Sequence, residues 1–247
     1  MWITGFTDAE GSFIVSITKN NERIIGWKVQ VIFGIYLHGR DIQILNQIQS
    51  YFGVGKIYTD NKRGTVNYLV RSPKDLNSTI IPQFNKYKLL TQKKADFELF
   101  STIVNLIIQN QHKTEQGFKK IVELRASLNN GLTGELLKVF SKENFLIKRP
   151  EVELAKDIDL TWIVGFIDGE GCFTIGITPS KNKTGFGVQL NFNITQHIRD
   201  KALFWTIKKK LGCGNVNEIP AKYRVNFVVT KLSDIINIII PLLVNIH

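Results

Sequence analysis

Trp2-Ile3-Thr4-Gly5-Phe6-Thr7-Asp8-Ala9-Glu10-Gly11-Ser12-Phe13 returns 160 residues later as Trp162-Ile163-Val164-Gly165-Phe166-Ile167-Asp168-Gly169-Glu170-Gly171-Cys172-Phe173. Eight of the twelve positions are identical. Chance would match about one position in twenty, so the chain contains an internal repeat. Each copy reads as a short helix ended by a glycine, Gly11 or Gly171, suited to the left-handed conformation that follows a helix. Gly5 with Ala9, and Gly165 with Gly169, lie four apart and share one helix face. Glycine inside a helix costs about 1 kcal/mol relative to alanine. A face kept bare at that cost lets a second backbone approach, and the partner it predicts is the other copy. Asp8, Glu10, Asp168 and Glu170 then fall at helix C-terminal ends, where the dipole disfavours carboxylates. With the helices side by side, Glu10 approaches Glu170, and two crowded carboxylates require a proton or a cation. A hard, oxygen-seeking divalent ion such as Mg²⁺ suits them best.

Outward from the first copy, Phe13, Val15 and Ile17 alternate with Ser12, Ile14, Ser16, Thr18 and Asn20, the pattern of a half-buried strand. The return strand places Val29, Val31, Phe33 and Ile35 inward and Lys28, Gln30, Ile32 and Gly34 outward. Asp41 stands where it would cap a helix bearing Ile44, Leu45, Ile48 and Phe52, which Gly53 ends. A second hairpin turns at the basic stretch Asn61-Lys62-Arg63-Gly64, with Lys56, Tyr58, Asn67 and Arg71 outward. Pro73 and Pro82 bracket a short helix, and residues 92–110 and 114–128 read as two amphipathic helices. The second copy repeats the order: a strand from Cys172 to Thr178, then a return strand with Val188, Leu190, Phe192 and Ile194 inward and Gln189, Asn191 and Asn193 outward. From there the offset is 159, matching His38 to His197 and Gly53-Val54-Gly55 to Gly212-Cys213-Gly214. The expected architecture is α+β, a pseudo-twofold pair of α-β-β-α-β-β-α repeats. The first repeat spans 1–128, a linker with a short helix near Glu135–Phe140 spans 129–159, and the second repeat spans 160–247. His247 aligns with Lys88, so nothing in the second half answers to the helices of 92–128; the expectation there is a shortened reading frame or a fragment.

The 247 residues carry a formal charge of +11, which suits a polyanionic partner. No run of 18 apolar residues exists, so a membrane partner is not expected. Cys172 and Cys213 give neither a disulfide framework nor zinc spacing, and His38, His112, His197 and His247 are scattered. No secretory or transit segment is expected before the first motif. The outward strand positions carry groups that hydrogen-bond base edges in a major groove, with Lys and Arg available to phosphates. Candidate DNA contacts in the first half are Ser12, Ile14, Ser16, Thr18, Asn20, Lys28, Gln30, Lys56, Tyr58, Asn67 and Arg71. In the second half they are Cys172, Thr174, Thr178, Gln189, Asn191, Asn193, Asn215, Asn217, Arg224, Asn226 and Thr230.

The duplicated Trp-Ile-x-Gly-Phe-x-Asp-x-Glu-Gly-x-Phe motif resembles the two motifs of single-chain LAGLIDADG homing endonucleases of organellar introns. That resemblance implies antiparallel sheets forming a DNA-binding saddle around the packed motif helices. It also implies a monomer that makes a double-strand break by phosphodiester hydrolysis in a long asymmetric target, leaving short 3′ overhangs. It assigns Glu10 and Glu170 as catalytic metal ligands, helped by the carbonyls of Ala9 and Gly169. The ion would be Mg²⁺, with Mn²⁺ substituting and Ca²⁺ binding without supporting cleavage. Gln196, opposite Leu37 in the first half, matches a position that orders water near the scissile phosphate. Lys93, or its neighbour Lys94, lies where relatives place a basic residue near the phosphate; Lys231 is a lesser candidate. Asp8 and Asp168 are expected to serve structure through helix-end hydrogen bonds. An organelle with its own genome is implied, the mitochondrion first and the chloroplast second. Two alternatives stay open: a maturase that binds structured intron RNA, and a decayed relative that binds DNA without cutting it.

Overall fold

The structure, a computed structural model, describes residues 1–140 and 145–246. Helix α1 (Trp2–Glu10) runs directly into β1 (Gly11–Lys19), which pairs antiparallel with β2 (Trp27–His38). Helix α2 (Ile42–Phe52) leads to β3 (Lys56–Asp60) and β4 (Thr65–Val70), completing a sheet of order β1-β2-β4-β3. There follow α3 (Pro73–Asp75), a π turn (Leu76–Ile80), α4 (Ile81–Lys86), α5 (Lys93–Ile108), α6 (Glu115–Ala126) and α7 (Gly134–Phe140). The order then restarts with α8 (Leu160–Glu170), β5 (Gly171–Pro179), β6 (Phe186–His197), α9 (Lys201–Leu211), β7 (Asn215–Ile219) and β8 (Arg224–Val229). Its sheet is β5-β6-β8-β7, followed by α10 (Leu232–Asp234), a π turn (Ile235–Ile239) and α11 (Ile240–Ile246). The fold is α+β, with the repeated element order that the duplicated motif predicts.

Three local expectations are corrected. Gly171 is extended, at φ −76° and ψ 143°, and Gly11 is absent from the described glycines with positive φ. Both open a strand instead of closing a helix in the left-handed region. At Gly171 the requirement is space, because a Cβ would lie 2.5 Å from the Ile167 carbonyl oxygen. Asp41 makes no side-chain cap to α2; its carboxylate pairs with Arg40 at 3.5 Å. A 3₁₀ turn at Gly39–Asp41 precedes the helix, and the His38 ring accepts from the Arg40 amide there. Pro82 does not end a helix, which continues to Lys86. The Ile81 amide reaches back to Leu76, and this wide turn gives room to a proline ring that would otherwise strike the carbonyl four residues before it. Pro241 sits after the same device, with the Ile240 amide on Ile235. Gly53 does end α2 in the left-handed region, at φ 66°.

The chain divides into two compact units, which cut across the repeats: Gly11–Lys88 with Lys93–Val152, and Met1–Glu10 with Leu89–Gln92 and Glu153–His247. In the first of these, α5 packs on β1, and the inner face of that sheet is buried. Phe13 stacks within 5.3–5.7 Å of Phe33, Phe84, Phe97 and Phe100. Farther along, Trp27 meets Phe118 of α6 and Phe140 of α7. The outer edge of β1 is capped by side chains: Arg125 Nε donates to the Val15 carbonyl at 2.8 Å and Asn129 Nδ2 to that of Phe13 at 2.9 Å. The other unit has its core around Trp162, Phe166, Phe192, Ile194, Phe204 and Phe227. The β5–β6 end of its sheet is bare. Val188 and Leu190, expected inward, are 68% and 39% exposed, and Phe173, Ile175, Ile177 and Phe186 stand out beside them. Their alternation is intact, but among the described residues no helix lies over them as α5 and α6 lie over the first sheet.

Candidate functional site

Helices α1 and α8 pack backbone to backbone, and the bare face is what permits it. A Cβ on Gly5 would run into the Trp162 carbonyl, and one on Gly165 into that of Trp2. Each motif tryptophan then donates to the other helix's aspartate: Trp2 Nε1 to Asp168 Oδ2 at 2.6 Å, Trp162 Nε1 to Asp8 Oδ2 at 2.9 Å. Asp8 is buried and takes three further bonds from the segment 89–92: the Leu90 amide at 2.8 Å, the Thr91 amide at 3.2 Å and the Thr91 hydroxyl at 2.6 Å. Gln92 donates its amide to the buried Asp200 at 2.7 Å. Charge-assisted bonds of this kind offset burial and an unfavourable place at a helix C-terminus. The two aspartates therefore work as fasteners of the helix pair.

The glutamates, two residues on, are half-buried. A Cβ built on Gly169 would strike the Ala9 side chain and lie 3.0 Å from Glu10 Cγ and 3.6 Å from Glu10 Oε1. Glu10 thus lies across the bare last turn of α8. Glu170 Oε1 accepts from Gln196 Nε2 at 3.0 Å, and Gln196 Oε1 accepts from the His197 amide at 2.9 Å. Held at both ends, Gln196 fixes the aim of the Glu170 carboxylate. Leu37, its counterpart in the first half, has no donor. Beside Glu170 opens a depression of about 520 Å³ that also touches Gln196, His197, Lys222, Tyr223 and Arg224. Among the described residues no three His, Cys, Asp or Glu side chains gather as a complete metal cage. Carboxylates and backbone carbonyls at adjoining helix ends are hard oxygen donors. That donor set fits Mg²⁺, which keeps waters and binds through one or two carboxylates plus substrate phosphates.

The strand candidates divide by exposure. Thr18, Gln30, Lys56, Tyr58 and Arg71 are exposed; Ser12, Ile14, Ser16, Asn20, Lys28 and Asn67 are half-buried. Asn20 serves its own turn, accepting from the Glu22 amide at 2.9 Å. The Arg71 guanidinium sits 5.2 Å from the Tyr58 ring centre. In the second half Cys172, Thr174, Thr178, Gln189, Asn215, Asn217, Arg224 and Thr230 are exposed, and Asn191, Asn193 and Asn226 half-buried. Pairing sets Cys172 beside Asn193, Thr174 beside Asn191 and Asn217 beside Asn226. Lys93 opens α5 half-buried; Lys94 faces Glu98 at 4.0 Å, and Lys231 is engaged by Asp234 at 3.3 Å. Sequence reasoning missed Tyr36, whose ring, beside the Leu69 side chain, covers Gly34. Burial pushes its phenol up, with Arg71 acting against this. It missed His197, Lys222 and Tyr223 too, although the 159-residue offset sets Tyr223 opposite Gly64.

A family model for LAGLIDADG endonucleases matches residues 3–104 and 163–247. "Probable intron-encoded endonuclease 2" of Neurospora crassa is 40% identical over 251 residues, covering 97% of this chain and 54% of that protein. "Probable intron-encoded DNA endonuclease 1" of Mycosarcoma maydis is 27% identical, covering 97% of this chain and 90% of that one. The chain spans about half the length of the Neurospora relatives it matches. Among solved structures, I-SmaMI bound to an uncleaved DNA target in the presence of calcium ions has a TM-score of 0.95 and 35% identity, covering 100% of this chain and 84% of that one. I-LtrWI bound to target DNA has a TM-score of 0.92 and 39% identity, covering 98% of this chain and 81% of that one. The duplicated motif, the two four-stranded sheets and these matches agree, and this chain belongs to the LAGLIDADG endonuclease family.

Proposed function

We propose that this chain is a site-specific endonuclease that cuts both strands of a long asymmetric DNA duplex by metal-dependent phosphodiester hydrolysis. The observation that carries the reading is the delivery of Glu10 and Glu170 to adjoining helix ends by a backbone-to-backbone pair. Glu10 and Glu170, with the Ala9 and Gly169 carbonyls, would hold Mg²⁺. When bound, the ion supplies a water of lowered pKa and neutralises charge on the phosphate oxygens. Gln196 orients the Glu170 carboxylate, and Lys93 would add positive charge near the phosphate. The aspartates keep the helix pair closed, so the two carboxylates hold their spacing without rearrangement during reaction.

Repeats 1–128 and 160–247, joined by 129–159, would each read one flank of the target through the outward strand residues, the chain acting as a monomer. The DNA-bound relatives support that reading, as do the +11 charge and the polar outward faces. Mn²⁺ would replace Mg²⁺, and Ca²⁺ would support binding without cutting. Intron-encoded relatives, among them ones of ND4 and Cox1 introns, support an organelle with its own genome, the mitochondrion first. The test is cleavage of the uninterrupted junction of the two DNA flanks of the encoding element. Mg²⁺-dependent cutting by the native chain, lost in Glu10→Gln and Glu170→Gln with binding retained, is expected. Cutting by either variant at the native rate overturns the assignment.

A further inference from the structure

Tyr223 stands where the first half has Gly64, and both are in the left-handed region, at φ 51° and φ 64°. The surroundings correspond as well. The Gly64 carbonyl accepts from the Gly39 amide at 2.8 Å, and the Tyr223 carbonyl from the Ile198 amide at 2.9 Å. The next residues pair with equivalent histidines, Thr65 with His38 and Arg224 with His197. Glycine adopts this conformation freely, whereas a bulky side chain there is an outlier that only its surroundings can sustain. Core packing does not account for the tyrosine, which is 69% exposed.

What the ring does touch is the depression beside Glu170. It stacks on the His197 imidazole at 6.2 Å and 13° and lines the cavity with Lys222 and Arg224. His197 Nδ1 accepts from the Arg199 amide at 3.2 Å, which assigns the proton of the neutral ring to Nε2 as a donor. The first half is built otherwise. Arg63, the counterpart of Lys222, faces Asp60 at 3.8 Å, and Asp60 itself aligns with Ile219.

We propose that the Lys222-Tyr223-Arg224 turn and His197 form a nucleotide clamp that seats one sugar–phosphate of the DNA strand lying beside Glu170. Lys222, Arg224 and the His197 N–H meet the phosphate, and the Tyr223 ring packs on the sugar or base. The strained backbone holds that ring in place. Since the first half has glycine at this position, the two strands are held unequally during cleavage. The inference rests on the nuclease reading above.

The experiment compares the native chain with Tyr223→Gly, Tyr223→Asn and Lys222→Ala on the flank-junction duplex, each strand end-labelled separately. Glycine and asparagine both tolerate the left-handed region, so both tyrosine variants should melt about 2–4 °C higher. They should also cut one strand about tenfold more slowly while slowing the other less than about threefold, so that nicked duplex accumulates. Lys222→Ala should slow the same strand with an unchanged melting temperature. A melting temperature that stays or falls in both tyrosine variants, or native rates on both strands, overturns the clamp. Should the native chain cut nothing with Mg²⁺, the nuclease reading falls, and duplex binding in Ca²⁺ judges the clamp. About tenfold weaker binding by Tyr223→Gly then sustains it, and equal binding overturns it.

Discussion

The two sheets share strand order, pairing and strand lengths, yet among the described residues the first is covered along its inner face to the β1–β2 end, while the second is covered over only part of its own. Phe13 pairs with Phe33 and Val15 with Val31; Phe173 pairs with Phe192 and Ile175 with Leu190. Over the first pairs lie α5 and α6, and the β1 carbonyls receive Arg125 and Asn129. In the second, Phe192 reaches the core, but Phe173, Ile175 and Leu190 do not: they are 55%, 68% and 39% exposed, with no described helix over them. Alternation therefore specifies which side chains share a face, while burial depends on what another segment brings to it. A contiguous bare patch of this kind differs from the scattered apolar residues of an ordinary surface. The comparison also says where stability resides.

Phe13→Ala is the largest break. Removing a ring packed among four others should cost about 3–5 kcal/mol in denaturant unfolding of that unit. Phe173→Ala, at the matching position, should cost less than about 1 kcal/mol, because its ring is already half in water. Equal losses would mean the bare face is covered in solution. Arg149→Ala comes next. Its guanidinium grips the buried Asp96 at 2.8 Å through Nη2, and Asp96 also accepts from the Asn129 amide at 2.7 Å, pinning the linker to α5. Leaving that carboxylate buried without its cation should cost about 3 kcal/mol. Its foil in the other unit is Lys210→Ala, which removes an ion pair to the exposed Asp157 and should leave the unfolding midpoint where it was. Ile175→Lys should also stay small, within about 0.5 kcal/mol of native, and should lower binding of a hydrophobic dye.

The parts legible in the sequence were those that depend on local periodicity or on the duplication. The bare face of Gly5 and Gly165 announced a backbone-to-backbone pair, and the same motif placed Glu10 and Glu170 at its end. The reciprocal bonds of Trp2 with Asp168 and Trp162 with Asp8 were available in principle, since both residues recur in both copies. Choosing among partners needed the crossing of the two helices. Gln196 was found as an asymmetry, but its bond to Glu170 depends on how β6 passes α8, which no local pattern encodes. Asp41 failed as a cap because a 3₁₀ turn intervenes, and Pro82 failed as a stop because a π turn absorbs it. Tyr223 was missed because its left-handed backbone appears only once the turn is built, although the 159-residue offset sets it opposite Gly64. Val188 and Leu190 were misplaced because their pattern matches Val29 and Val31 while their surroundings do not.

The smallest effect concerns how the covering layer is fastened. Glu123 on α6 accepts from the amides of Leu146 at 2.9 Å and Ile147 at 3.1 Å, with Lys120 Nζ at 3.5 Å from its other oxygen. Burial alone would raise its pKa, but the amides and Lys120 outweigh burial and hold the carboxyl below its ordinary 4.5. A carboxyl depressed by folding contributes stability that is present above the ordinary value and lost as pH falls through the folded one. Acidification below about pH 4.5 should therefore loosen the strand of linker at 146–147 from α6 before the sheet itself responds. The Leu146 amide should show this as faster hydrogen exchange than the intrinsic acid dependence accounts for. Glu123→Gln keeps the shape and removes the charge; with solvent screening most of that interaction, it should lose only about 0.2 kcal/mol at neutral pH and flatten the acid response. A Leu146 exchange profile identical in the two proteins would show that α6 is held to the first sheet by its apolar face alone, and that the linker contributes nothing to the cover the second sheet lacks.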